Sequence, residues 1–275
     1  MFTASDVVYP IIDPTSSAEA ARLYSQHTAL HTCLELLPSL PPDTVSPRLL
    51  DLACGAGGWL LDAAYELSEA HVIGIDPNLI NIQYVHALAR VSLRHNISCQ
   101  TMDLRSELPF PHSSFDLITG CFLSTWLGFE EWLPMLTQCR SFLRPDGVLR
   151  LIEAEAGHCS SPACEQLSTW YEQALLQSGA HSGQPNWCDL LKKAGYHITE
   201  QRAVLDFSAG SLAQSPMHNV IESFFLLVQP FVTKCGVVAE EVFRQTYEQM
   251  RWEMSREDFS GSWHLIDLQA TLYQQ

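Results

Sequence analysis

Two kinds of apolar pattern alternate along the middle of the chain. Short continuous apolar runs at Leu49 to Ala53, His71 to Ile75, Ile97 to Met102, Phe115 to Phe122 and Val148 to Ile152 predict buried strands. Between them, Trp59 to Leu67, Leu79 to Leu93 and Glu130 to Leu143 carry the wider spacing of helices. The last of these stops at the turn Arg144-Pro145-Asp146-Gly147. Strands that alternate with helices predict an α/β fold, a mainly parallel sheet with helices on both faces.

The flanks break this rhythm. Tyr9 to Pro14 is extended and Pro-rich. Ser16 and Ser17 offer an N-cap to a helix from Ala18 to Leu37, which Pro38, Pro41 and Pro42 end. After Glu155, helices are expected at Cys164 to Leu176 and Trp187 to Lys193, then a strand at Tyr196 to Leu205. A largely helical insertion, Ser208 to Gly261, carries apolar positions at Phe224, Phe225, Leu227 and Val228, before a final strand at Ser262 to Leu272. The last two strands are expected to pair antiparallel, with the insertion as a helical lid over the carboxyl edge of the sheet. Three parts follow: an N-terminal helical extension (1–46), the main domain (47–208 with 262–275) and the lid (209–261).

Composition narrows the partners. With 275 residues, 47% hydrophobic and 17% charged, the chain can bury a large single core. A formal charge of −16 repels phosphate backbones, so no nucleic-acid partner is expected. The longest apolar candidate for a membrane span, Phe224 to Val232, is short and broken by Gln229 and Pro230, so no membrane association is expected. Met1 to Pro10 lacks the pattern of a cleaved signal. Nine scattered cysteines without a CxxC pair read as reduced thiols of a cytoplasmic protein. Oligomeric state is open, a homodimer included.

The chemistry begins at Asp51-Leu52-Ala53-Cys54-Gly55-Ala56-Gly57-Gly58, between the first strand and its helix. Gly55 and Gly57 let the backbone turn tightly and approach a ligand, and the N-terminus of the helix favours an anionic group there. A dinucleotide fingerprint would need a third glycine where Leu60 stands. Asp51, inside a buried strand, is costly unless it organises the loop or meets an ammonium group. Asp76, followed by Pro77, closes the second strand, where it can accept bonds from two ribose hydroxyls. Asp103, followed by Leu104, closes the third. Asp116 opens the fourth strand at the opposite end and is read as structural.

These residues resemble the class I S-adenosylmethionine-dependent methyltransferases, in particular the branch with ubiquinone and menaquinone biosynthesis enzymes and many natural-product enzymes. The resemblance covers Leu49 to Glu155. It implies a Rossmann-like, seven-stranded, mainly parallel sheet and S-adenosylmethionine as cofactor. Asp51, Ala53, Gly55 and Gly57 would hold its methionine part, Asp76 and Pro77 its ribose, Asp103 and Leu104 its adenine, with Cys121 and Phe122 alongside. Leu143 to Leu149 also fits. Ala53 replaces the family's first glycine, and Cys121 to Trp126 departs from the ring-methylating quinone enzymes. The function implied is methyl transfer to a small, apolar or aromatic metabolite, in secondary metabolism. The alternative is an S-adenosylmethionine-binding enzyme of the same fold that catalyses cyclisation or rearrangement.

Positioning supplies most of such catalysis, and a base is needed only if the acceptor must lose a proton. His158, expected just past the fifth strand, is the candidate base, with His218 in the lid behind it. Glu153 and Glu155 alternate and are expected to share a face; Glu155 is taken as a substrate contact, with Tyr9, Tyr24, Phe225 and Trp252. His27 and His31 stand at i, i+4, but no third ligand is evident near them in sequence, so they read as a shared polar face and no metal is expected.

Overall fold

The sheet is organised outward from β1 (Arg48–Leu52), whose Leu49, Leu50 and Leu52 are wholly buried. The computed structural model describes residues 11–13, 16–37, 40, 44–125, 127–179 and 185–273. In chain order the remaining elements are α1 (Ser17–Leu30), α2 (Gly58–Glu66), β2 (His71–Asp76), α3 (Leu79–Val91), β3 (Ile97–Thr101), β4 (Phe115–Cys121), α4 (Trp132–Phe142) and β5 (Leu143–Cys159). They continue with α5 (Pro162–Ser178), α6 (Trp187–Lys193), β6 (Tyr196–Asp206), α7 (Gln214–Lys234), α8 (Glu240–Met254) and β7 (Gly261–Leu272).

One seven-stranded sheet runs β3-β2-β1-β4-β5-β7-β6. β1 pairs parallel with β2 (Leu50 beside Ile73) and with β4 (Leu50 beside Ile118), while β7 runs antiparallel to both β5 and β6. Strand order reverses between β1 and β4. There the crossover helices leave to opposite faces and open a crevice beyond the carboxyl ends, the usual ligand position in such sheets. On one face Leu50, Ile118 and Leu151 pack with Trp132 of α4 and Leu191 of α6. On the other, Leu49, Leu117 and Leu265 pack with Ala63 of α2, Val85 of α3, Leu167 of α5, Val228 of α7 and Met250 of α8.

Three elements depart from the pattern reading. The first helix ends at Leu30 and not Leu37. The following residues turn back across α2, where the Leu36 carbonyl accepts a bond from Trp59 Nε1 at 2.9 Å, so tertiary packing overrides helix continuation. β5 continues seven residues past Ile152, because β7 supplies the ladder partners from Ile266 back to Gly261. That stretch is rich in small and polar residues and carries no apolar run to betray a strand. With β6 it forms a three-stranded antiparallel ribbon rising beyond the carboxyl edge. The insertion is helical as expected. α7 packs against α1 and α5, and α8 packs against α5 and α7. No helix among the described residues is long and apolar enough to cross a membrane.

Candidate active site

The glycine loop takes its shape from three left-handed residues, Ala53 (φ 51°), Gly55 (φ 53°) and Gly57 (φ 77°). A Cβ at Gly57 would stand 2.5 Å from Val85 Cγ2, and one at Gly55 would stand 3.1 Å from Leu23 Cδ1. Gly57 therefore needs glycine for space as well as for torsion, and Gly55 needs it first for torsion. Ala53 holds the same left-handed turn with a Cβ, a strain of about 1–2 kcal/mol. Gly57 is also the N-cap of α2. It offers no side chain to the N–H groups of the first turn, which aim at the crevice.

Asp76 ties this loop to the second strand. Its carboxylate accepts Gly55 N–H at 2.9 Å, Asn78 N–H at 2.8 Å and Asn81 Nδ2 at 3.2 Å. Burial raises its pKa, and those three bonds oppose the rise. Its first task is thus to hold the loop. Asp51, one strand away, is 5% exposed. Burial pushes its carboxyl well above the ordinary range, and the neighbouring Cys99 and Asp76 add to the push. A cationic group at this spot would relieve all three effects.

Beyond the loop, Ala53, Pro77, Asp103, Leu104, Arg105 and Leu127 line one open groove at the carboxyl edge. Four of these six, Ala53, Pro77, Asp103 and Leu104, are residues to which the family resemblance gives a cofactor role. Arg105 and Leu127 are additions. Arg105 clasps Asp103 through contacts of 2.6 to 3.1 Å, and this ion pair holds the Asp103 carboxyl below its usual range. An exposed arginine two residues past an aspartate carries no sequence signal of its own.

The edge beside β4 is aromatic. Burial pushes the Cys121 thiol well up. Phe122 is left-handed (φ 55°), and its ring stacks on Trp263 of β7 at 5.0 Å and 18°. A bulky side chain held at such a torsion marks a position fixed by its surroundings. Trp263 went unnoticed in the sequence, where it is one more apolar residue at a strand start. Just past Phe122, Ser124 Oγ donates to the fully buried Glu153 at 2.5 Å, which fastens the short helical turn Leu123–Thr125. Burial raises the Glu153 carboxyl from 4.5 to about 7, with the Ser124 bonds opposing.

Several expected contacts lie elsewhere. His158 is not in a loop. It sits within β5 opposite Ser262, with its ring near His264 (6.2 Å), on the face of the ribbon away from Trp263. Glu155 is the extra residue of a bulge between Ala154 and Ala156, so it does not share the face of Glu153; it reaches Arg202 at 3.1 Å on the surface. Trp252 is 56% exposed on α8, under the Arg256 guanidinium. Phe225 is core, and its ring meets Phe224, which meets Tyr171. Tyr24 is 46% exposed on α1, and Tyr9 lies outside the described residues. His218 is wedged against Phe259 on α7, and burial lowers its pKa.

Residues 49–147 match the family model described as a methyltransferase domain. "Methyltransferase str3" of Strobilurus tenacellus is 30% identical over 116 residues, 42% of this chain and 38% of that protein. A demethylmenaquinone methyltransferase of Bacillus licheniformis is 28% identical over 114 residues, 38% of this chain and 43% of that protein. The chain thus matches about two fifths of the length of these curated relatives. Among solved structures, the YcgJ protein of Bacillus subtilis superposes with a TM-score of 0.53 at 14% identity, covering 92% of this chain and 99% of that one, a likeness of fold. The matched segment runs from β1 through the glycine loop to the start of β5, so it is this part of the chain that is similar to a methyltransferase domain.

Proposed function

We propose that this protein transfers the methyl group of S-adenosylmethionine to a small apolar or aromatic metabolite. The observation that carries the reading is the convergence, at the point where strand order reverses, of the glycine loop, the buried carboxyls Asp51 and Asp76 and the Asp103 groove. This set fits the cofactor group by group. The N-terminus of α2 suits a carboxylate. Asp51, held high by burial, suits an ammonium. Asp76 suits ribose hydroxyls, and the groove of Ala53, Pro77, Leu104 and Leu127 with Asp103 suits a flat base carrying an amino group.

When bound, the cofactor supplies an activated methyl on a cationic sulfur, which leaves in an in-line displacement. The chain's part is to position and to exclude water, worth up to about 7–11 kcal/mol for well-oriented reactants. Cys121, Phe122 and Trp263 stand at the edge beside the groove and form the wall on which an aromatic acceptor would rest. Glu153 positions that wall through Ser124. α1 lies against the glycine loop through Leu23 and His27, and α7, packed on α1, supports it from residues 209–261, the segment read as the lid. The acidic surface and the apolar edge support a small-molecule acceptor of secondary metabolism over nucleic acid, and nine free cysteines support a cytoplasmic setting.

The test is calorimetric titration with S-adenosylmethionine and S-adenosylhomocysteine, beside the variant Asp76→Ala. Micromolar binding of both, weakened at least about 100-fold in the variant, is expected from the loss of the loop anchor and ribose acceptor together. No binding by the native chain overturns the reading. Release of S-adenosylhomocysteine with a panel of phenols and quinols then separates methyl transfer from a reaction that keeps the methyl group.

A further inference from the structure

On the outer side of the glycine loop, three ligand-type side chains from two helices converge on one point. His27 Nε2 and His31 Nε2 of α1 each lie 2.6 Å from the same oxygen, Oδ2 of Asp62 on α2, and 3.2 Å from each other. Two imidazole nitrogens this close to one carboxylate oxygen crowd any protons they carry between them. The triangle they form is that of one coordination face. Ligand atoms around a tetrahedral zinc ion with bonds of about 2.0–2.1 Å stand about 3.3 Å apart, so an ion can cap these three atoms once the two short edges open by about 0.7 Å, as side-chain rotation of the exposed His31 and Asp62 allows. The His31 and Asp62 side chains are 44% and 42% exposed, which leaves further coordination positions to water, while His27 is 14% exposed and fixed by packing.

We propose that His27, His31 and Asp62 bind a divalent zinc-type ion that staples α1 to α2. Two neutral imidazoles and one carboxylate form a nitrogen-rich set, suited to zinc and its transition-metal neighbours and unsuited to magnesium or calcium, which take oxygen ligands. The sequence shows only the i, i+4 histidine pair; the third ligand arrives from another helix. The place has a consequence. The His27 ring packs so tightly on Gly58 that a Cβ there would lie 2.5 Å from it, and Leu23, one turn earlier, packs on Gly55. An ion at this site fixes α1 across the very loop that opens α2.

The experiment is zinc titration of the full metal-stripped chain, with bound metal counted by elemental analysis and the melting temperature followed with and without chelator. One equivalent of zinc is expected. His31→Ala, at an exposed position, and Asp62→Asn should each weaken it by at least about 100-fold, beyond the loss typical of a metal's outer partners. Zinc should raise the melting temperature of the native chain and leave that of His31→Ala unchanged. Cobalt(II) in place of zinc should give ligand-field bands without a thiolate charge-transfer band. No saturable zinc binding, or binding equal in native chain and both variants with a thiolate band from the cysteines, overturns the proposal. Circular dichroism of each variant identifies misfolding, and His31→Gln repeats the test with a side chain of similar size.

Discussion

The carboxyl edge of this sheet is built in two ways. Above β1, β2 and β3 it is made of short loops, with backbone torsions, glycines and strand-end carboxylates held within a few residues of one another. Above β5, β7 and β6 it is a ribbon of antiparallel strands whose partners lie far apart in the chain, as with Gly157 against Trp263 and Asp206 against Ser262. The first half tolerates little change because its geometry is local and steric. The second is shaped by which long-range pairs meet, so its side chains can change while its backbone stays. Under the proposed function the cofactor rests over the first half and the acceptor against the second.

The steepest test of that contrast is Gly57→Ala. The added Cβ meets Val85 at 2.5 Å and adopts φ 77°. A loss of about 2–4 kcal/mol is expected in denaturant unfolding, from overpacking and left-handed strain together. Gly179→Ala, equally left-handed (φ 72°) but with nothing within 4 Å, should lose only about 1–2 kcal/mol. Equal losses at both would remove the steric argument.

A comparable effect comes from pH. The carboxyl of Glu153 is raised in the folded chain from 4.5 to about 7, so the folded state keeps its proton longer than the unfolded one. Its contribution is fully present below pH 4.5 and is lost as pH rises through about 7. The shift corresponds to about 3 kcal/mol. Urea unfolding of the native chain and Glu153→Gln across this window should show the native slope flattened in the variant, and parallel curves would contradict it.

Smaller still, Trp263→Ala should raise the KM for an aromatic acceptor by about tenfold, or about 1.4 kcal/mol, with S-adenosylmethionine affinity unchanged. If cofactor affinity falls instead, the two halves of the edge are not separable. The smallest expected change is a gain. Ala53→Gly removes a Cβ from a left-handed position (φ 51°) and should stabilise the chain by up to about 1 kcal/mol, the relief of strain being partly offset by unfolded-state entropy.

The same contrast explains what the sequence discloses. Asp51, Gly55, Gly57, Asp76 and Asp103 stand out in the sequence because each lies in or just after an apolar run that announces a strand, and Asp103 shares the groove with Ala53, Pro77 and Leu104. The acceptor side is not readable in this way. His158 looks like a loop residue because β5 beyond Ile152 has no apolar alternation, and Glu155 loses its parity with Glu153 to a one-residue bulge. Trp252 and Phe225 both have aromatic character suited to a pocket. Only the rotational phase of α8 and α7 in the packed molecule sends one to the surface and the other to the core. Asp62 is invisible as a partner of His27 and His31 for the same reason, since helix packing alone brings it across.

The position of β7 bears on how the molecule is made. It is synthesised after both β5 and β6, yet it lies between them. It also brings Asp267 to Arg150, 117 residues earlier, in a buried bidentate pair at 2.9 and 2.8 Å. While a ribosome is still translating α7 and α8, β5 presents an open ladder edge and an unmatched cation. Slow, long-range closure of this kind exposes a chain to aggregation. The nascent polypeptide is therefore a natural client for chaperones until Gly261–Leu272 clears the exit tunnel, and a premature stop codon ahead of that strand should yield insoluble product even though the whole glycine loop has already been translated.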